Sequence, residues 1–91
     1  MIYRPIEDFT AASGESDPIV LNKIDGKDEQ TVQVEISSTA TVSVQGRLSS
    51  TAPWEELIEI TANSIQPLAL VSYLKFVVSN NDGTVNVWVR G

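Results

Sequence analysis

Histidine and cysteine are both absent from the 91 residues, so the side chains left for chemistry are carboxylates, hydroxyls and amines. That removes a histidine general base, a thiolate nucleophile and the usual ligands of zinc and other transition metals. Two acidic groupings remain. Glu55, Glu56 and Glu59 stand close together, and paired carboxylates are what glycoside hydrolysis uses. Such a pair must flank one sugar, whereas neighbours on a strand point to opposite faces, and a small sandwich offers little cleft in which to raise a carboxyl pKa. Asp25, Asp28 and Glu29, with Gly26 among them, invite a calcium reading. The segment lacks the spacing of oxygen ligands that an EF-hand needs, so it reads as a solvated loop. No glycine-rich phosphate loop is present. The chain is expected not to be an enzyme, to hold no metal and no cofactor, and to take no small-molecule substrate.

Charge narrows the partners. Twelve acidic against six basic residues give a formal net charge of −6, and Arg4, Lys23, Lys27, Arg47, Lys75 and Arg90 are scattered along the chain. Phosphate neutralisation needs clustered cations, so nucleic acid is not an expected partner. No run approaches the roughly 20 apolar residues of a membrane-spanning helix, and the opening MIYRPIEDF has neither the charged nor the apolar region of a signal peptide. No membrane partner and synthesis in the cytoplasm are expected. With no disulfide available, a chain of this length has to draw its stability from packing or from self-association.

The elements that would position these residues are strands. Ala40 to Ala62 reads as a β-hairpin in which Ala40, Val42, Val44, Gly46 and Leu48 share one face and Thr41, Ser43, Gln45 and Arg47 the other. In its second arm Leu57, Ile58 and Ile60 keep to one side only if a β-bulge adds a residue near Leu57. Val32, Val34 and Ile36 give a strand over Thr31–Ser37, and a short strand is expected over Ile19–Asn22 after the Ser16-Asp17-Pro18 turn. Asn63 to Pro67 reads as a turn, and Leu68 to Leu70 as a short strand or an extended crossing segment. Tyr73–Ser79 and Thr84–Arg90 alternate strongly, and Asn80-Asn81-Asp82-Gly83 between them predicts a closing hairpin. About seven short strands and no amphipathic helix predict an all-β domain, an antiparallel β-sandwich or jelly roll over residues 15–91.

Residues 1–14 read as an N-terminal arm, with Ile2, Tyr3, Ile6 and Phe9 either folding back on the sheet or docking on a neighbouring chain. Tyr73 and Trp88 are expected to point outwards from one hairpin, available to a protein interface or to a sugar. Trp54 reads as core. The candidate interface residues are therefore Ile2, Tyr3, Ile6, Phe9, Tyr73 and Trp88.

Four segments carry a resemblance: SDPIVL at Ser16–Leu21, ATVSVQG at Ala40–Gly46, APW at Ala52–Trp54, and YLKFVVSNNDGTVNVWV at Tyr73–Val89. Together with the arm they resemble small virion proteins of tailed bacteriophages, which are similar to capsid cement, or decoration, proteins. The resemblance implies a non-enzymatic structural protein on the capsid surface, clamping the major capsid protein and gathered as a homotrimer at threefold axes. It also admits a place at the head-to-tail junction or tail, and no catalytic residues come with it. Glu55, Glu56 and Glu59 depart from the family's usual strand. The competing reading is a carbohydrate-binding or adhesive β-sandwich that stacks sugars on Trp88 and Tyr73.

Overall fold

A computed structural model of the chain describes residues 2–20, 30–68 and 71–90. Nine strands occur among them: β1 (Ile2–Phe9), β2 (Gly14–Glu15), β3 (Ile19–Val20), β4 (Gln30–Ile36), β5 (Thr41–Arg47), β6 (Glu55–Ile60), β7 (Ser64–Leu68), β8 (Tyr73–Ser79) and β9 (Val85–Arg90). They form two antiparallel sheets. The first has the order β1-β9-β4-β7, and the second β2-β8-β5-β6 with β3 also paired to β8. The expected all-β sandwich is what the chain forms.

The connectivity is that of a jelly roll. Counting β2 and β3 as two pieces of one strand, the first strand pairs with the last, the second with the next to last, and so inwards to the β5–β6 hairpin. One long antiparallel hairpin has been rolled over so that its pairs fall alternately in the two sheets. Ser16 joins the two pieces of the interrupted strand: its amide donates to the Phe76 carbonyl at 2.9 Å and its hydroxyl accepts from the Phe76 amide at 3.0 Å.

The core lies between the sheets. Val85, Val87 and Val89 of β9 and Val32, Val34 and Ile36 of β4 face Leu74, Phe76 and Val78 of β8 and Val42 and Val44 of β5, all buried. Valine dominates because a β-branched side chain suits a pleated, packed surface. Of the core residues expected from alternation, Ile58 alone is only partly buried. The bulge expected near Leu57 is present, as Val44 pairs with Ile58 while Gln45 pairs with Glu56. Leu48, past the end of β5, is 70% exposed. The radius of gyration is 12.5 Å, close to the roughly 12 Å expected for a compact chain of this length.

Three expectations are corrected. Residues 2–9 are not an arm separate from the sandwich: of the two expected outcomes they fold back on the sheet, and they do so as its strand β1, hydrogen-bonded along β9. Their apolar residues recur every third position, which a regular strand cannot keep on one face. Two register irregularities, between Tyr3 and Ile6 and between Ile6 and Phe9, supply the extra residues, and Asp8 takes φ 47°.

Strands β8 and β9 do not form a hairpin. They lie in different sheets, and Asn80–Thr84 is an arch across the sandwich. Two sheets pack about 10 Å apart, a span that a five-residue connection covers. The arch leans on the one between β4 and β5. Asp82 N donates to Thr39 O at 2.8 Å, Ser37 N to Thr84 O at 3.0 Å, and Thr84 N to Ser37 Oγ at 2.7 Å. Gly83 sits so close to Ser37 and Ser38 that a Cβ there would collide with both.

The third correction concerns Asn63–Pro67. Only Asn63 serves the turn, its Oδ1 accepting from Ile36 N at 2.6 Å, and Ser64–Leu68 is the edge strand β7. Proline is tolerated there because an edge strand has one side with no ladder to complete. Of the expected Ile19–Asn22 strand, Ile19 and Val20 are seen. Leu21, Asn22, the acidic loop Asp25–Glu29, Ala69 and Leu70 lie outside the described residues.

Candidate functional site

The carboxylates come first because they were the chemical candidates. Across the bulge, Glu56 pairs with Gln45 and Glu59 with Ser43, so both stand on the outer face of the second sheet. A regular strand would have placed residues three apart on opposite faces. Glu56 Oε1 accepts a hydrogen bond from Ser43 Oγ at 2.6 Å, and both glutamates are exposed. An exposed carboxylate bonded to a serine is a surface feature, and nothing encloses the pair.

On the same outer face, Arg47 lies between two aromatic rings, its guanidinium carbon 4.2 Å from the Trp54 centroid and 5.1 Å from that of Tyr73. Lys75 Nζ stands 4.9 Å from Trp54 and 3.8 Å from a Glu15 carboxylate oxygen. Trp54, expected in the core, is thus a half-buried member of an outward ladder of cations and rings. Each contact of this kind contributes about 0.5–2 kcal/mol, and here the cations cover ring faces that a sugar would need.

The outer face of the first sheet differs. Its registers align Ile2, Arg90, Thr31 and Pro67 in a row across all four strands, with Trp88, Gln33 and Ile65 in the row beside it. Ile2 is 67% and Ile65 64% exposed, and Trp88 is half-buried. At about 4.8 Å between strands, the backbones of Trp88 and Ile65 stand roughly 10 Å apart. The result is a strip in which Ile2, Trp88, Ile65 and Pro67 stand among Arg90, Thr31 and Gln33.

Arg4 fixes the tryptophan side of this strip. Its guanidinium lies 5.0 Å from the Trp88 centroid, donates from Nη2 to Asn86 Oδ1 at 2.7 Å, and pairs with Glu7 at 3.4 Å. Asn86 is 5% exposed, and its Oδ1 also accepts from Asp8 N at 2.8 Å while Nδ2 donates to Glu35 at 3.4 Å. Arg4 is held by Asn86 and Glu7 and lies over one face of the Trp88 ring.

The six candidate residues therefore separate. Ile2 and Trp88 come together on the outer face of the first sheet. Tyr3, Ile6 and Phe9 face inwards: Ile6 is 3% exposed, Tyr3 and Phe9 pack on the core, and the Phe9 ring covers Gly14. Ile6 is spent on the chain's own core and offers nothing to a neighbour. Tyr73 lies on the other sheet from Trp88, so the two cannot form one stacking platform. Sequence reasoning missed Ile65 and Pro67, which it placed in a turn, and Arg4 and Asn86, whose positions 82 apart are joined only by the β1–β9 pairing.

Open clefts indent the surface formed by the described residues. One of about 290 Å³ is almost wholly apolar, at the sandwich end between Gly46, Leu57 and Val71. One of about 300 Å³ lies between Tyr3, Pro5 and Ile19, and one of about 200 Å³ between β6 and β7. Among the described residues no three Asp or Glu side chains gather to hold a metal ion. Compared with protein-family models and with curated proteins, the chain matches none.

Proposed function

We propose that the chain is a non-enzymatic structural protein of a phage particle, a cement protein that binds the major capsid protein on the outside of the head. The observation that carries this reading is the strip across the first sheet in which Ile2, Trp88, Ile65 and Pro67 stand among Arg90, Thr31 and Gln33. Small ligands favour concave sites, whereas a protein surface is met by a fixed aromatic with apolar neighbours and charged groups at the rim. Trp88 is the anchor, Ile2 and Ile65 the apolar flanks, Arg4 the charged group beside the anchor and Arg90 a charged group within the strip. Jelly rolls are used by viral capsid proteins among others, an analogy of fold that adds support without identifying the partner.

In this reading the protein is made in the host cytoplasm and resides on the virion. Copies gather in threes about the shell's symmetry axes, and Ile6, buried in the chain's own core, takes no part in the contact. The sugar-binding alternative needed Tyr73 and Trp88 side by side, which the fold does not provide. Co-sedimentation with undecorated heads and with isolated tails tests the reading. Saturable binding to heads is expected, and binding to tails alone would move the protein to the tail.

A further inference from the structure

Among the described residues the two sheets have four edge strands, and the four prolines of the chain are distributed over them unevenly. Pro5 lies within β1, Pro18 follows β2 and precedes β3, and Pro67 lies within β7. Proline removes a backbone donor, so each of these edges is spoiled as a template for another strand. Irregular pairing adds to this in β1, and the Ser16–Pro18 break interrupts the β2/β3 edge. The remaining edge is β6. Pro53 falls before it, and although β6 bulges at Leu57, from Glu55 to Ile60 every residue keeps its amide. Among the described residues β6 pairs only with β5, which leaves its other side with a row of unpaired backbone donors and acceptors.

Two further features say what suits that edge. Glu56 and Glu59 stand along it on the outer face. Two copies pairing edge to edge would bring like charges together, which costs stability, whereas a strand carrying lysine or arginine would gain. On the inner side, β6 borders the cleft of about 200 Å³ whose other wall is β7, lined by Ile58, Ile60, Ala62, Ser64 and Gln66 among others. Ser64 Oγ in that lining is enclosed and has no hydrogen-bond partner. A strand added beside β6 would project alternate side chains over this cleft.

We infer that the β6 edge is a docking site for an extended segment of a partner protein, which adds as a further strand to the second sheet. The segment carries basic residues on the positions facing Glu56 and Glu59 and small apolar residues on the alternate positions over the β6–β7 cleft. Main-chain hydrogen bonds to Glu55–Ile60 supply affinity and the alternation supplies selectivity, the mode of β-strand addition. Antiparallel pairing would continue the pattern of the sheet. This site lies on the opposite sheet from the strip proposed to meet the capsid, and it stands or falls separately.

The test uses the full isotope-labelled chain and a short peptide alternating lysine with valine. Two controls accompany it: a glutamate–valine peptide, and the lysine peptide N-methylated on alternate residues so that one hydrogen-bonding edge is lost and its charge kept. Binding of the lysine peptide is expected to slow amide exchange in Glu55–Ile60 and not in β1 or β7. The N-methylated and glutamate peptides should bind about tenfold more weakly or worse, and Glu56→Lys with Glu59→Lys should reverse the preference for charge. The inference is overturned if the lysine peptide does not bind at millimolar concentration, or if the N-methylated peptide binds as well. Protection appearing elsewhere, or at β6 from self-pairing as the protein alone is concentrated, also overturns it. No heads enter this experiment, so its failure leaves the capsid reading untouched.

Discussion

Arg4 and Asn86 meet at 2.7 Å although 82 positions separate them, and this bond ties the first strand to the last. The same Asn86 oxygen takes the amide of Asp8, the residue at φ 47° in the irregular stretch of β1. One buried side chain thus satisfies the backbone where the strand departs from regular pairing. The Arg4–Glu7 pair beside it is exposed and contributes little by comparison.

Asn86→Ala should therefore cost about 1–3 kcal/mol, because a part-buried amide and a guanidinium lose their acceptor together. The loss should be local as well as global. Hydrogen exchange is expected to speed up in Ile2–Phe9 before the rest of the sandwich opens. Unchanged exchange in β1 would show that Asn86 does not anchor it.

Phe76 is the largest fully buried side chain, at the centre of the second sheet. Phe76→Ala should cost about 3–5 kcal/mol. A domain of this size has about 5–14 kcal/mol in total, so the variant should melt far lower or fail to fold. Denaturant titration measures this, and an unchanged midpoint would contradict the placement of the core.

Arg47 is expected to behave differently. Its guanidinium bridges Trp54 and Tyr73, yet its enclosed Nε has no hydrogen-bond partner. Removing it forfeits two ring contacts of about 0.5–1 kcal/mol each and also an unsatisfied donor. Arg47→Met, which keeps apolar contact with the rings, should change stability by less than about 1 kcal/mol while shifting the Trp54 fluorescence. A loss as large as that of Phe76→Ala would mean that the ladder carries the fold.

The strands with clean alternation were legible in the sequence, and so was the bulge, since Leu57, Ile58 and Ile60 cannot share a side without it. What was hidden depends on long-range pairing. Asn80–Gly83 signals that the chain turns, but the sheet that receives Val85–Arg90 is chosen by β1 and β4, far away in sequence. Tyr3, Ile6 and Phe9 have a spacing foreign to a strand, and only the two irregularities against β9 reconcile it. Pro67 masks β7 because proline usually ends a strand, and only an edge position tolerates it. The separation of Trp88 from Tyr73 follows from the same arch, so the outward faces were legible and their grouping was not.

The central claim rests on the strip across the first sheet, and head binding by variants of that strip tests it most directly. Ile65→Glu puts a charge at an exposed position on an edge strand, where the fold should tolerate it. Circular dichroism and an unchanged melting temperature would establish that it does. Wild-type protein is expected to bind undecorated heads saturably, with Ile65→Glu weakening binding by about tenfold or more, because a charge replaces an apolar flank of the anchor. Absence of wild-type binding to heads, or full affinity in the folded Ile65→Glu variant, would contradict the account.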